Sequence, residues 1–121
     1  MEAQRQTINM VSWDLLRRDP NTKYDISNGD KTFILKMSRK CTIAIQAIWD
    51  SLDAADGTLK VYGSNDGDTF DLLSGESSKT MSSTPSSWSF IKDLFNWEYI
   101  AVEVAVGSNT AGNLGLTLEI K

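Results

Sequence analysis

The chain has 121 residues, of which 40% are hydrophobic and 23% charged, so it holds one domain with enough apolar material for a core. Its net charge of −4 excludes a general nucleic-acid binder, whose phosphate-facing surface must be basic. Histidine is absent, which removes Ser-His-Asp and Cys-His catalysis, His-containing zinc sites and the usual acid/base group near neutral pH.

In chain order, Met1 to Arg5 present no long apolar run behind a basic stub, so no signal peptide is read and synthesis in a reducing cytoplasm is expected. No stretch approaches the roughly 18 apolar residues of a membrane helix, and no membrane partner is expected. Residues 1–20 read as an N-terminal arm, with one helical turn at most between Trp13 and Arg18, ahead of a domain spanning 21–121. Asp19-Pro20-Asn21 marks a loop, Asn28-Gly29 a tight turn, and Lys31 to Met37 a strand. Ile43, Ile45, Ala47 and Trp49 share one parity, so Trp49 is assigned to the core. Partial cover is expected on the other face, at Ala44 and Ile48. After the turn residues Asp56-Gly57, Gly57 to Gly63 gives a strand, and Asp66-Gly67 supplies a hairpin turn.

From Ser74 to Ser89 the sequence is rich in Ser and Thr around Met81, as in a long loop or an exposed edge strand. Ser86 to Lys92 is of strand length. Ile100, Val102, Val104 and Val106 alternate with smaller or charged residues, and Trp97 just before them is expected to close one end of the domain. Ser108 to Asn113 is a loop of small residues, and Leu114, Leu116, Leu118 and Ile120 complete the period-two pattern. Short strands separated by turn signals predict an all-β fold: a single-domain antiparallel β-sandwich of jelly-roll type.

The residues offer little chemistry. Asp50, Asp53, Asp56, Asp66, Asp68 and Asp71 form the one acidic stretch dense enough to suggest a metal. Calcium in an EF-hand needs Gly at position six and Glu at position twelve. A loop starting at Tyr62 places Gly67 correctly but puts an aromatic first and Leu73 twelfth, so no metal, cofactor or catalytic residue is assigned. The lone Cys41 cannot close a disulfide within the chain; it opens an apolar strand and reads as a buried, inert thiol. Of the four tryptophans, Trp13 and Trp88 are the candidates for exposure to a partner or a sugar. Charge is uneven: the net is +3 through Lys40, including Arg17-Arg18, and −7 from Cys41 onward, which can steer the N-terminal segment to an acidic partner.

The order of segments resembles small β-sandwich virion proteins of tailed bacteriophages, namely capsid-decoration, head-fibre and tail-associated proteins. The resemblance is carried by the strand Thr42 to Trp49, the hairpin Gly57-Thr58-Leu59-Lys60-Val61-Tyr62-Gly63-Ser64-Asn65-Asp66-Gly67, the strand Trp97-Glu98-Tyr99-Ile100, and the closing strand after Gly112. It covers about two-thirds of the chain, from near Tyr24 to the end. It implies a non-enzymatic structural component of a virion, meeting other capsid or tail subunits and further copies of itself, as trimers or around capsid axes. The docking segment would be Trp13, Leu15, Leu16, Arg17 and Arg18, combining apolar anchors with positive charge. Ser64-Asn65-Asp66-Gly67-Asp68-Thr69-Phe70 also resembles a hairpin of discoidin-like carbohydrate-binding modules, which implies glycan binding with Trp88 or Trp13 as a stacking platform.

Overall fold

Alternating apolar residues become the facing rows of two antiparallel sheets in the computed structural model, which describes residues 6–16, 19–37, 41–75, 77–82 and 86–121. The elements are β1 (Gln6–Asn9), α1 (Met10–Asp14), β2 (Tyr24–Asp25), a 3₁₀ turn (Ile26–Asn28), β3 (Lys31–Lys36) and β4 (Cys41–Asp50). They continue with β5 (Gly57–Ser64), β6 (Asp71–Leu72), β7 (Ser78–Met81), β8 (Ser87–Phe95), β9 (Tyr99–Ala105) and β10 (Asn113–Ile120). One five-stranded sheet runs β1–β10–β4–β8, with β2 also on β10; the other runs β3–β9–β5–β6, with β7 also on β5. The chain is thus an all-β antiparallel sandwich.

The inward rows follow the parity of the sequence. Ile43, Ile45, Ala47 and Trp49 from β4 and Leu114, Leu116 and Leu118 from β10 are buried against Leu59, Val61, Ile100, Val102 and Val104 from β5 and β9. Register holds these rows together: Ile45 is opposite Leu118, and Val61 opposite Val102. Phe90 and Phe95 add β8 to the core. The Trp49 indole N–H donates to the Ser82 carbonyl at 2.6 Å, so its polar edge is satisfied where the ring is buried. Trp97 packs over β5, where a side-chain carbon at Gly63 would overlap its ring. The Ser/Thr-rich segment contributes the edge strand β7, with Met81 fully buried. Cys41 is buried, as its place in the pattern implies.

Three expectations need correction. The second face of β4 is partly covered at Ala44, as expected, but open at Ile48, which is 48% exposed. Asp56-Gly57 is no tight turn, because Gly57 already belongs to β5 and does not have positive φ, unlike Gly29 and Gly67. The third concerns residues 1–20, whose described part belongs to the sandwich rather than to a separate arm. Gln6 to Asn9 pair with Thr117 to Ile120 of β10, and α1 seats Met10 and Val11 in the core at 1% and 2% exposure. The helix begins at Met10 because Asn9 caps it, accepting hydrogen bonds from the Val11 and Ser12 amides. Its five residues are too few to show a helical period in sequence.

Removing the segment before Pro20 therefore opens the core instead of leaving the domain intact. Met10→Ala should lower the free energy of unfolding by about 2–5 kcal/mol, the range for truncating a buried methionine. Urea denaturation measures this, and a change within about 0.5 kcal/mol, as at an ordinary surface position, would remove α1 from the cooperative core.

Candidate functional site

Two regions concentrate polar or exposed groups. The first is the end of the sandwich formed by the β4–β5 and β9–β10 loops. Asp66, Asp68 and Asp71 lie beyond the other end of β5, whereas Asp50, Asp53 and Asp56 of the acidic stretch lie here. Their carboxylates turn onto backbone. Asp53 accepts from the amides of Thr110 (2.9 Å) and Ala111 (3.2 Å) and from the Thr110 hydroxyl. Asp56 accepts from the amide (2.9 Å) and hydroxyl of Ser108. Between them the buried Asn109 accepts from the Ala54 amide at 2.7 Å and donates to the Val106 carbonyl at 2.8 Å. Asp50 accepts from the Asn113 side chain and pairs with Lys23 at 3.4 Å. These acids clasp one loop to another, and no group of three or more Cys, Asp or Glu among the described residues converges as a metal site.

Donors aimed at a carboxylate favour its ionised form. The Thr110 hydroxyl and amide hold Asp53 below the usual carboxylate range, and the Ser108 hydroxyl and amide do the same for Asp56. In the β5–β6 turn, the amides of Thr69 and Asp68 and the Ser64 hydroxyl bring Asp66 down to about 2. A pKa lower in the folded than in the unfolded chain stabilises the fold above the unfolded value near 4; this contribution disappears as pH falls through the folded value. Melting temperature should accordingly drop between about pH 4 and pH 2. Asp66→Asn should flatten that slope, as scanning calorimetry across the window would show. An unchanged slope would mean that the Asp66 carboxylate is not clasped.

The second region is the outer surface of α1, which lies across the flank between β10 and β3. The Asp14 carboxylate pairs with Lys31 of β3 at 3.1 Å. The Asn9 amide donates to the carbonyls of Asp19, Pro20 and Thr22 at 3.0–3.1 Å, fixing the following loop against the helix start. Outward from this platform stand Trp13 (42% exposed), Leu15 (53%) and Leu16 (95%). Leu16 has φ 57°, the left-handed conformation that helix ends ordinarily assign to Gly. Trp13 lines two grooves. One, of about 410 Å³, runs along β1 past Thr7, Asp19 and Thr117; the other, of about 270 Å³, is lined by Leu35, Lys36, Met37 and Ile120.

Of the residues singled out in the sequence, Trp13, Leu15 and Leu16 are exposed, with Trp13 and Leu15 lining different grooves. Arg17 and Arg18 lie outside the described residues. Trp88 is half-buried against the core, opposite Ala47, with its ring 6.0 Å from that of Phe90. Sequence reasoning missed the polar wall that β1 and β10 build beside Trp13, because a short polar strand such as Gln6–Asn9 carries no alternation signal.

Comparison with protein-family models and with curated proteins finds no match to this chain. No helix among the described residues is long and apolar enough to cross a membrane.

The left-handed backbone at Leu16 costs an L-residue with a side chain about 1–2 kcal/mol. Leu16→Gly should therefore raise stability by up to about 1 kcal/mol in chemical denaturation. A loss of stability would show that the Leu16 side chain packs on its own chain.

Proposed function

We propose that the chain is a non-enzymatic structural component of a bacteriophage virion, decorating or reinforcing the capsid or tail through protein–protein contacts. The observation that carries this reading is the apolar surface of Trp13, Leu15 and Leu16 on a rigid sandwich. An exposed leucine held in unfavourable backbone geometry adds nothing to the chain's own core, whereas it suits an anchor for a neighbouring subunit. Arg17 and Arg18 follow directly in sequence and supply charge for an acidic partner surface.

Strand order also supports the reading. Successive main strands alternate between the sheets except for β5 and β7, which pair within one, giving β1–β10–β4–β8 on one side and β3–β9–β5–β7 on the other. This fits the double Greek key of a jelly roll, an architecture used by viral capsid domains and lectins. Copies would meet by symmetry, with a trimer as the expected closed unit. The alternative of a discoidin-like module would use Trp88, half-buried on the core, or the exposed Trp13 as its sugar platform.

Mass spectrometry of particles purified from the phage that encodes the chain should detect the protein in stoichiometric amount. Leu16→Asp, at a nearly fully exposed position, should leave melting unchanged and cut its occupancy on particles at least about tenfold, equivalent to ~1.4 kcal/mol of contact energy. Absence of the wild-type protein from the particles would refute the virion assignment, and full occupancy of the variant would refute the docking surface.

A further inference from the structure

We propose that the outer face of the sheet containing β3, β9 and β5 is a contact between two copies of this chain. The copies are related by a two-fold axis that runs along the strands between β9 and β5.

Register defines the face. Ile34 is opposite Ala101, Ala101 opposite Tyr62, and Tyr62 opposite Leu72, so these residues form one row straight across the sheet. None of them belongs to the core between the sheets, because their chain neighbours Phe33, Ile100 and Val61 take the inward positions. Ile34 and Leu72 are 49% and 51% exposed at the two ends of the row, Tyr62 is half-buried, and Ala101 forms the floor. Single apolar residues on a surface are ordinary, but a row in register is a continuous patch. The adjacent row carries charge: Thr32 is opposite Glu103, Glu103 opposite Lys60, and Lys60 opposite Ser78. The Tyr62 hydroxyl donates to the Glu103 carboxylate at 3.4 Å and holds it on this face.

The two rows select a second copy as the occupant. Rotation about an axis along the strands exchanges β9 with β5, and β3 with β6 and β7, while each row stays over itself. Packed sheets align within about 30°, which keeps the rows near the axis in step. Ile34 then meets the partner's Leu72, and Glu103 meets the partner's Lys60, each contact occurring twice by symmetry. An axis at right angles, along the apolar row, sets Glu103 against the partner's Tyr99 and Lys60 against the partner's Ser64. That arrangement matches neither charge across the contact, so complementarity favours the first axis. A partner of one strong charge sign fits less well, because Lys60 and Glu103 stand side by side.

Size sets the strength. Strands about 4.8 Å apart and rows about 7 Å apart give a patch of about 20 by 20 Å, so a pair buries roughly 800 Å² in total. This is the low end for specific contacts, and a Kd of about 10–100 µM is expected. The contact uses none of Trp13, Leu15 and Leu16, so it stands apart from the virion assignment, and the trimer expected there would form through other residues.

Sedimentation equilibrium of the full chain from about 5 µM to 1 mM should show a reversible dimer. Leu72→Asp, Glu103→Lys and Lys60→Glu should each weaken it at least about tenfold and leave the melting temperature of the monomer unchanged. Mixing the Glu103→Lys and Lys60→Glu proteins should restore a dimer within about threefold of the wild-type Kd, because opposite charges again face each other at both positions. That recovery reads the contact between copies directly, since a folding defect in either variant would not be repaired by mixing. A monomer throughout, a trimer, a dimer indifferent to these substitutions, or no recovery on mixing would overturn the proposal.

Discussion

Two stacked sheets bury their facing rows but leave two flanks through which water can enter, and closing those flanks is the constraint on which the rest of this structure depends. On one side α1 and the 3₁₀ turn insert Met10, Val11 and Ile26 between β10 and β3. On the other, Leu73 and Met81 fill the gap, the Trp49 indole is tied to Ser82, and Lys92 of β8 reaches Ser74 at 3.1 Å. Without these plugs the inward rows of β4, β5, β9 and β10 would face solvent along their edges, forfeiting part of the apolar burial that stabilises a domain of this size.

The first closure also leaves apolar side chains on the outside. A helix of five residues has no room to bury a full apolar stripe, so once Met10 and Val11 are committed inward, Trp13 and the two leucines that follow are left outside. The same Asn9 that caps the helix pins the loop of Asp19 to Thr22, so an exposed aromatic and a polar groove are held side by side by one amide. The segment that seals the core thus also carries exposed apolar side chains.

The acidic half of the chain has the opposite character. A run of aspartates in sequence invites a reading as a cation site, yet each carboxylate in the β4–β5 loop faces the backbone donors or side-chain hydroxyls of the β9–β10 loop. Hydroxyl and amide donors stabilise the charge, and the lowered pKa values of Asp53 and Asp56 follow from that arrangement. Spacing along the chain could not reveal this, because the donors lie more than fifty positions away from the carboxylates they satisfy.

What the sequence determined by itself was whatever period two encodes: the all-β class, the strands from β3 to β5 and from β8 to β10, the inward assignment of Trp49, and the burial of Cys41. A strand half-facing a core must alternate, so those residues carry their own address. Only the tertiary structure decided the rest. It placed Gln6–Asn9 on the edge of β10, although its polar residues give no pattern, and it drew α1 into the core through a cap and a two-residue plug. It turned Trp88 half inward, left Trp13 out, and brought Thr117 from the far end of the chain beside Thr7. Those outcomes depend on pairings between segments distant in sequence, where a partner supplied by the fold replaces any local signal.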